Sequence, residues 1–180
     1  MKQHETVVDG LVRILQEREI ITEKDAQALK EDFKRREAPF FEDFLLEEGI
    51  VDKEVVLDAL QEFYQVQAID VLGEVFDHDL VKMFPKDVLL RNFALPYRRD
   101  ENVLFVITNN PRNEDLDMRL REFVSYDIEF LVGIPTHIDM TIKEFYQDPL
   151  YDIDYEGTIE ETQEQEEEER EQDLDYYREL

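Results

Sequence analysis

The sequence predicts an α+β protein: N-terminal helical-hairpin repeats, then a small three-stranded α/β subdomain, then a disordered acidic tail. Three observations carry this. Apolar residues recur at three- and four-residue spacing as far as Tyr64, short apolar runs replace that period between residues 94 and 132, and charge becomes dense after residue 147. The boundaries that follow are 1–70 for the helical subdomain, 71–147 for the α+β subdomain and 148–180 for the tail or linker.

In the first segment Val7, Val8, Leu11, Ile14 and Leu15 make one apolar stripe. Thr22 followed by Asp25 has the form of a capping box, and Ala26, Leu29 and Phe33 continue at helical spacing, which predicts a helix over about 22–36. Pro39 interrupts the chain. A short helix through Phe44 and Leu45 is expected to end at Gly49, which suits a left-handed turn, and Asp52 is placed to cap a helix burying Val56, Ala59, Leu60 and Phe63. Ile14 to Phe33 and Phe44 to Tyr64 share one order of apolar pair, acidic turn, isoleucine, cap and amphipathic helix, offset by 30 residues. One helical hairpin leaves its apolar stripe bare, so two are expected to pack together.

Further on, Phe84-Pro85 opens a helix through Val88, Leu89 and Leu90, with Pro85 at the first helical position. Ala94 to Arg98 and Val103 to Thr108 read as a hairpin turning at Arg99-Asp100-Glu101-Asn102. Asn113 caps a helix through Leu116, Leu120 and Phe123, and Asp127 to Val132 is a third strand. Thr136 with Asp139 forms a second capping box, before a helix carrying Ile138, Ile142, Phe145 and Tyr146. Helices are expected to cover one face of the short sheet.

Composition excludes several chemistries. There are 47 acidic and 20 basic residues, a formal net charge of −27 and a pI of about 4.3, which repels nucleic acid and anionic membrane surfaces. Residues 148–180 hold fifteen acids and two bases. The stretch EETQEQEEEERE from Glu160 to Glu171 has no apolar side chain to offset the entropy of ordering. Absence of Cys removes disulfides and thiolate chemistry. The five glycines are too scattered for a phosphate loop, Ser125 is the only serine, and His4, His78 and His137 lie far apart. Asp77-His78-Asp79 is the one local ligand-like group, and it lacks a metal-ligand spacing. No enzyme, metal or cofactor is expected, and the expected location is the cytoplasm, without direct membrane insertion. In the tail, Leu174, Tyr176, Tyr177 and Leu180 stand as apolar anchors among acids and are candidate contacts for a basic partner.

Three stretches carry a family resemblance: FLLEEGIVDKEVVLDALQEFYQVQAIDV (44–71), PKDVLLRNFALPYRRDENVLFVITNNP (85–111) and IEFLVGIPTHIDMTIKEFY (128–146). Their order resembles the N-terminal domain of type II secretion and type IV pilus assembly ATPases, a family with members that bind cyclic di-GMP. The resemblance implies a non-catalytic adaptor that docks on a cytoplasmic part of the inner-membrane assembly platform, or on the ATPase, and the net charge of −27 adds the expectation of a basic surface on that partner. Such a module would be cytoplasmic or held peripherally at the inner membrane by its partner. The alternative it implies is a cyclic di-GMP sensor. Relatives that bind the nucleotide begin each repeat with an Arg-Leu-Gly-like element, where this chain has Gly10-Leu11-Val12 and Phe40-Phe41-Glu42. Arg13, Arg35 and Arg36 lie near these elements and are the candidate nucleotide contacts. The family's Walker-type core is not in these 180 residues, which leaves open a fragment of a longer ATPase or a stand-alone copy.

Overall fold

A computed structural model describes residues 5–146. Helix α1 (Val7–Glu17) starts at Thr6, whose hydroxyl accepts the Asp9 N–H at 3.1 Å. Helix α2 (Glu23–Arg36) starts with the expected capping box between Thr22 and Asp25, and α3 (Phe41–Glu47) and α4 (Lys53–Tyr64) follow. Asp52 does stand at the cap of α4. Its carboxylate makes no capping bond, however, and only its carbonyl serves the helix, accepting from Val55 and Val56.

The 30-residue repeat is visible bond for bond in the two turns. The Arg18, Glu19 and Ile20 amides donate to the Ile14, Gln16 and Leu15 carbonyls, and the Glu48, Gly49 and Ile50 amides to those of Phe44, Leu46 and Leu45. Both turns need one left-handed residue, Gly49 at φ 61° and Glu19 at φ 55°. The hairpins close on each other through α1 and α4, where buried Gly10 meets the Phe63 ring. A Cβ on Gly10 would lie 2.2 Å from two ring carbons. Phe41 packs between Phe33 and Phe44 at ring separations of 5.1 and 5.9 Å. This core of Leu11, Ile14, Leu15, Phe41, Phe44 and Leu60 also takes in Val132 and Ile134 from the far end of the chain.

Helix α5 (His78–Lys82) occupies a stretch for which the sequence pattern predicts no helix. Asp77 caps it by accepting the Asp79 N–H at 2.9 Å, so the Asp-His-Asp cluster is a helix start. No group of three or more potential ligands able to hold a metal occurs among the described residues. Helix α6 (Lys86–Asn92) follows, with Pro85 one position earlier than expected, at the cap, in extended conformation.

Strands β1 (Ala94–Asp100) and β2 (Val103–Thr108) form the expected antiparallel hairpin, with a bulge between Pro96 and Arg98. Helix α7 (Glu114–Leu120), capped by Asn113, crosses over to β3 (Asp127–Val132), which pairs parallel with β2. Phe123 lies beyond α7 in a turn. The sheet is therefore mixed, in the order β1-β2-β3, and Gln67 to Ile69 adds a short rung at Val132.

The last helix, α8 (Pro135–Phe145), takes its cap from elsewhere in the fold. Thr136 lies inside it, and the Thr136 N–H donates to the Asp43 carboxylate of α3 at 3.3 Å. Asp139 pairs with Lys143 at 2.6 Å, so the anticipated Thr136–Asp139 box does not form. Tyr146 falls just outside the helix. No helix among the described residues is long and apolar enough to cross a membrane.

Candidate functional site

A cleft runs between the helical repeats and the loop joining β2 to α7. One part, of about 310 Å³, is bounded by Val8, Phe33, Phe40 and Glu42; the other, of about 620 Å³, by Phe63, Arg112, Asp117 and Phe130. Val7, Tyr64 and Asn110 border both, so the two adjoin.

The loop is built to hold Arg112. The Asn110 side chain accepts the Arg112 N–H at 3.2 Å, and the Asn110 carbonyl accepts that of Asn113 at 3.1 Å. Asn113 in turn accepts the Asp115 N–H at 3.2 Å and starts α7. Arg112 then lies over the two aromatic rings that end α4, its guanidinium carbon 4.5 Å from the centre of Phe63 and 5.1 Å from that of Tyr64. It also donates to the Phe63 carbonyl, one of the acceptors left over at a helix C-terminus. Positive charge on this wall is thus pinned down by α4.

Across the cleft, Glu42 is 4% exposed. Burial pushes its carboxyl up to about 7; its own amide and that of Phe41 pull the other way, while the Asp43 charge adds to the rise. Burial, and then the Glu42 charge, raise the Tyr64 hydroxyl. The next residue, Asp43, holds α8. Its carboxyl is also raised by burial, against the Thr136 bond that favours the charged form. Consecutive side chains of α3 therefore serve the cleft and the start of α8.

The sequence candidates lie apart from this wall. Arg13 is shared between Glu5 at 3.0 Å and Glu17 at 3.1 Å. Arg35 pairs with Asp32, and Arg36 with Glu48, its guanidinium 5.9 Å from the Phe44 ring. None of the three lines the cleft. Gly10, Leu11 and Val12 are buried in the core, with Gly10 filled by Phe63. Leu174, Tyr176, Tyr177 and Leu180 lie outside the described residues. Sequence reasoning missed Arg112 and Tyr64 as cleft residues. Phe63 read as a buried helix residue and Asn113 as a helix cap, with nothing along the chain to single out Tyr64 or Arg112; only the fold places them together.

Residues 64–152 match the MshEN domain. The chain is 27% identical over 128 residues to the type IV pilus assembly ATPase PilB of Myxococcus xanthus, covering 66% of this chain and 23% of PilB. It thus spans about a quarter of that relative. A structure of MshE with cdg superposes with a TM-score of 0.60 at 20% identity, covering 76% of this chain and 98% of the MshE chain. The N-terminal domain of XpsE superposes with a TM-score of 0.52 at 17% identity, covering 79% and 97%. At these identities both likenesses speak to the fold. What matches is the N-terminal, non-ATPase portion of these proteins.

Proposed function

We propose that this protein is a non-catalytic interaction and regulatory module of a type II secretion or type IV pilus system, docking on a cytoplasmic part of the inner-membrane assembly platform. The observation that carries the reading is the cleft itself. Its inner wall bears a buried carboxyl, Glu42, and its one lining arginine is already engaged by Phe63 and Tyr64. Arg13 and Arg36 are likewise held by carboxylates. A dianionic ligand would meet a carboxyl and committed cations, whereas a protein surface needs shape and a charge of opposite sign.

The test is capture of the purified cytoplasmic part of the platform protein by the full chain, followed by titration calorimetry. Saturable one-to-one binding is expected. Absence of binding at about 100 µM of each protein defeats the docking reading.

A second reading, cyclic di-GMP sensing, has one observation in its favour: Arg112 stacked on two aromatic rings at the cleft is a cation that a guanine base or phosphate could recruit. Titrating cyclic di-GMP into the full chain separates the two. The docking reading expects no heat. Low-micromolar binding that disappears in Arg112→Ala, with the fold intact, would install the sensor in its place.

A further inference from the structure

The two edges of the sheet are treated differently. On β1 the outer edge is blunted, because Pro96 has no amide hydrogen and a bulge breaks the register beside it. On β3 the outer edge is bare over most of its length. The Asp127 N–H donates inward to Asn102 at 2.9 Å and the Gly133 N–H to Thr108 at 3.1 Å, so odd positions face β2. Even positions then point outward. Val132 shows what they do when met by an extended chain: its amide donates to Gln67 at 3.0 Å and its carbonyl accepts from Ile69 at 2.9 Å. Ile128 and Phe130 present the same pair of groups, and among the described residues no chain takes them.

Space and charge lie alongside. Phe130 forms one wall of the 620 Å³ part of the cleft, so the edge opens onto a cavity with room for side chains. That cavity is lined by Glu5, Glu114 and Asp117 with Arg112, Glu5 being paired with Arg13 and Asp117 with Arg121, and the strand itself exposes Glu129 beside Asp127, which Arg121 also reaches at 3.6 Å. A strand laid on this edge sends alternate side chains to either face and meets carboxylates on both.

We propose that the free edge of β3 at Ile128 and Phe130 is a docking surface for an extended, lysine- or arginine-bearing segment of a partner protein, bound by strand addition with its side chains reaching the acidic cavity. The inference deepens the interaction-module reading, on which it rests, by assigning the surface and the chemistry of what covers it.

The experiment uses the full chain, labelled for amide exchange, and a synthetic octapeptide of alternating Lys and Val. Controls are its Glu-Val counterpart and a Lys-Val peptide N-methylated at alternate residues. The Lys-Val peptide is expected to slow exchange at Ile128 and Phe130 by about tenfold or more, and the N-methylated and acidic peptides to leave it unchanged. Ile128→Pro, which removes one outward amide at an edge where proline is tolerated, should weaken binding about tenfold. Glu129→Lys should weaken it with no change to the backbone, which covers the case in which the proline variant fails to fold.

Equal binding of the N-methylated peptide, or protection elsewhere, overturns strand addition. Edge amides protected in the free chain and released on shortening it to residue 147 assign the edge to the chain's own C-terminal segment instead. Protection that grows with protein concentration assigns it to a second copy. Because the probe is a synthetic peptide, its failure is distinct from failure to capture the platform protein.

Discussion

Glu42 is the residue whose chemistry departs furthest from its free form. Its folded carboxyl, near 7, lies above the ordinary value of 4.5 because burial disfavours the charge. A raised carboxyl binds its proton more tightly in the folded state. Its stabilising contribution is therefore complete below about 4.5 and is lost as pH rises through about 7. Glu42→Gln, which removes the charge at constant shape, should match the parent at pH 4 to 5 and exceed it by of the order of 3 kcal/mol at pH 8. Denaturant midpoints at the two pH values measure this; equal midpoints at pH 8 would mean that Glu42 ionises without penalty. Glu42 was legible in the sequence as an odd residue where relatives use glycine. Its burial was not, because that depends on Phe33 and Tyr64 arriving from two other helices.

At the scale of elements, the repeat makes paired predictions. Glu19 and Gly49 hold the same left-handed position in equivalent turns, and only glycine does so without steric cost. Glu19→Gly should leave the fold unchanged and raise stability by about 1 kcal/mol, while Gly49→Ala lowers it by a similar amount. Thermal melts of the two variants give both signs in one experiment. Gly10→Ala should cost more, about 1–3 kcal/mol, since the added methyl meets the Phe63 ring and the α1–α4 contact has to open. Trimming the ring in the double variant Gly10→Ala/Phe63→Leu should recover part of that loss in a double-mutant cycle.

Elements with a period or a cap were legible. The α2 capping box, the apolar stripe of α4, the β1–β2 hairpin and the span of β3 all stand where local pattern puts them. Helix α5 was not legible, because five residues carry too little of a helical period. The cap of α8 was assigned to the nearest acid in sequence, and the chain used one 93 residues away. Such a partner has no signature along the chain. The parallel alignment of β2 with β3 goes with α7 crossing between them, and the place of β3 at the end of the strand order is what leaves its outer edge for other use.

For the whole molecule, charge sets the kinetics of encounter. On the docking reading proposed above, a formal −27 steers association with a positively charged partner at long range, and screening weakens it. The association rate constant should fall about tenfold or more between 50 mM and 500 mM salt, with a much smaller change in the dissociation rate. Stopped-flow mixing at several salt concentrations reads both. An association rate indifferent to salt would remove electrostatics from the recognition.

The bond from Thr136 to Asp43, together with Val132 and Ile134 in the core of the helical repeats, bears on how the chain acquires its structure. A ribosome releases the two hairpins first, yet their core stays incomplete until the third strand and the turn after it have emerged. The nascent helices must therefore wait with part of their apolar surface uncovered. High sequence separation of this kind slows the search for the native state, so this mostly helical protein is expected to refold more slowly than a helical bundle of its size.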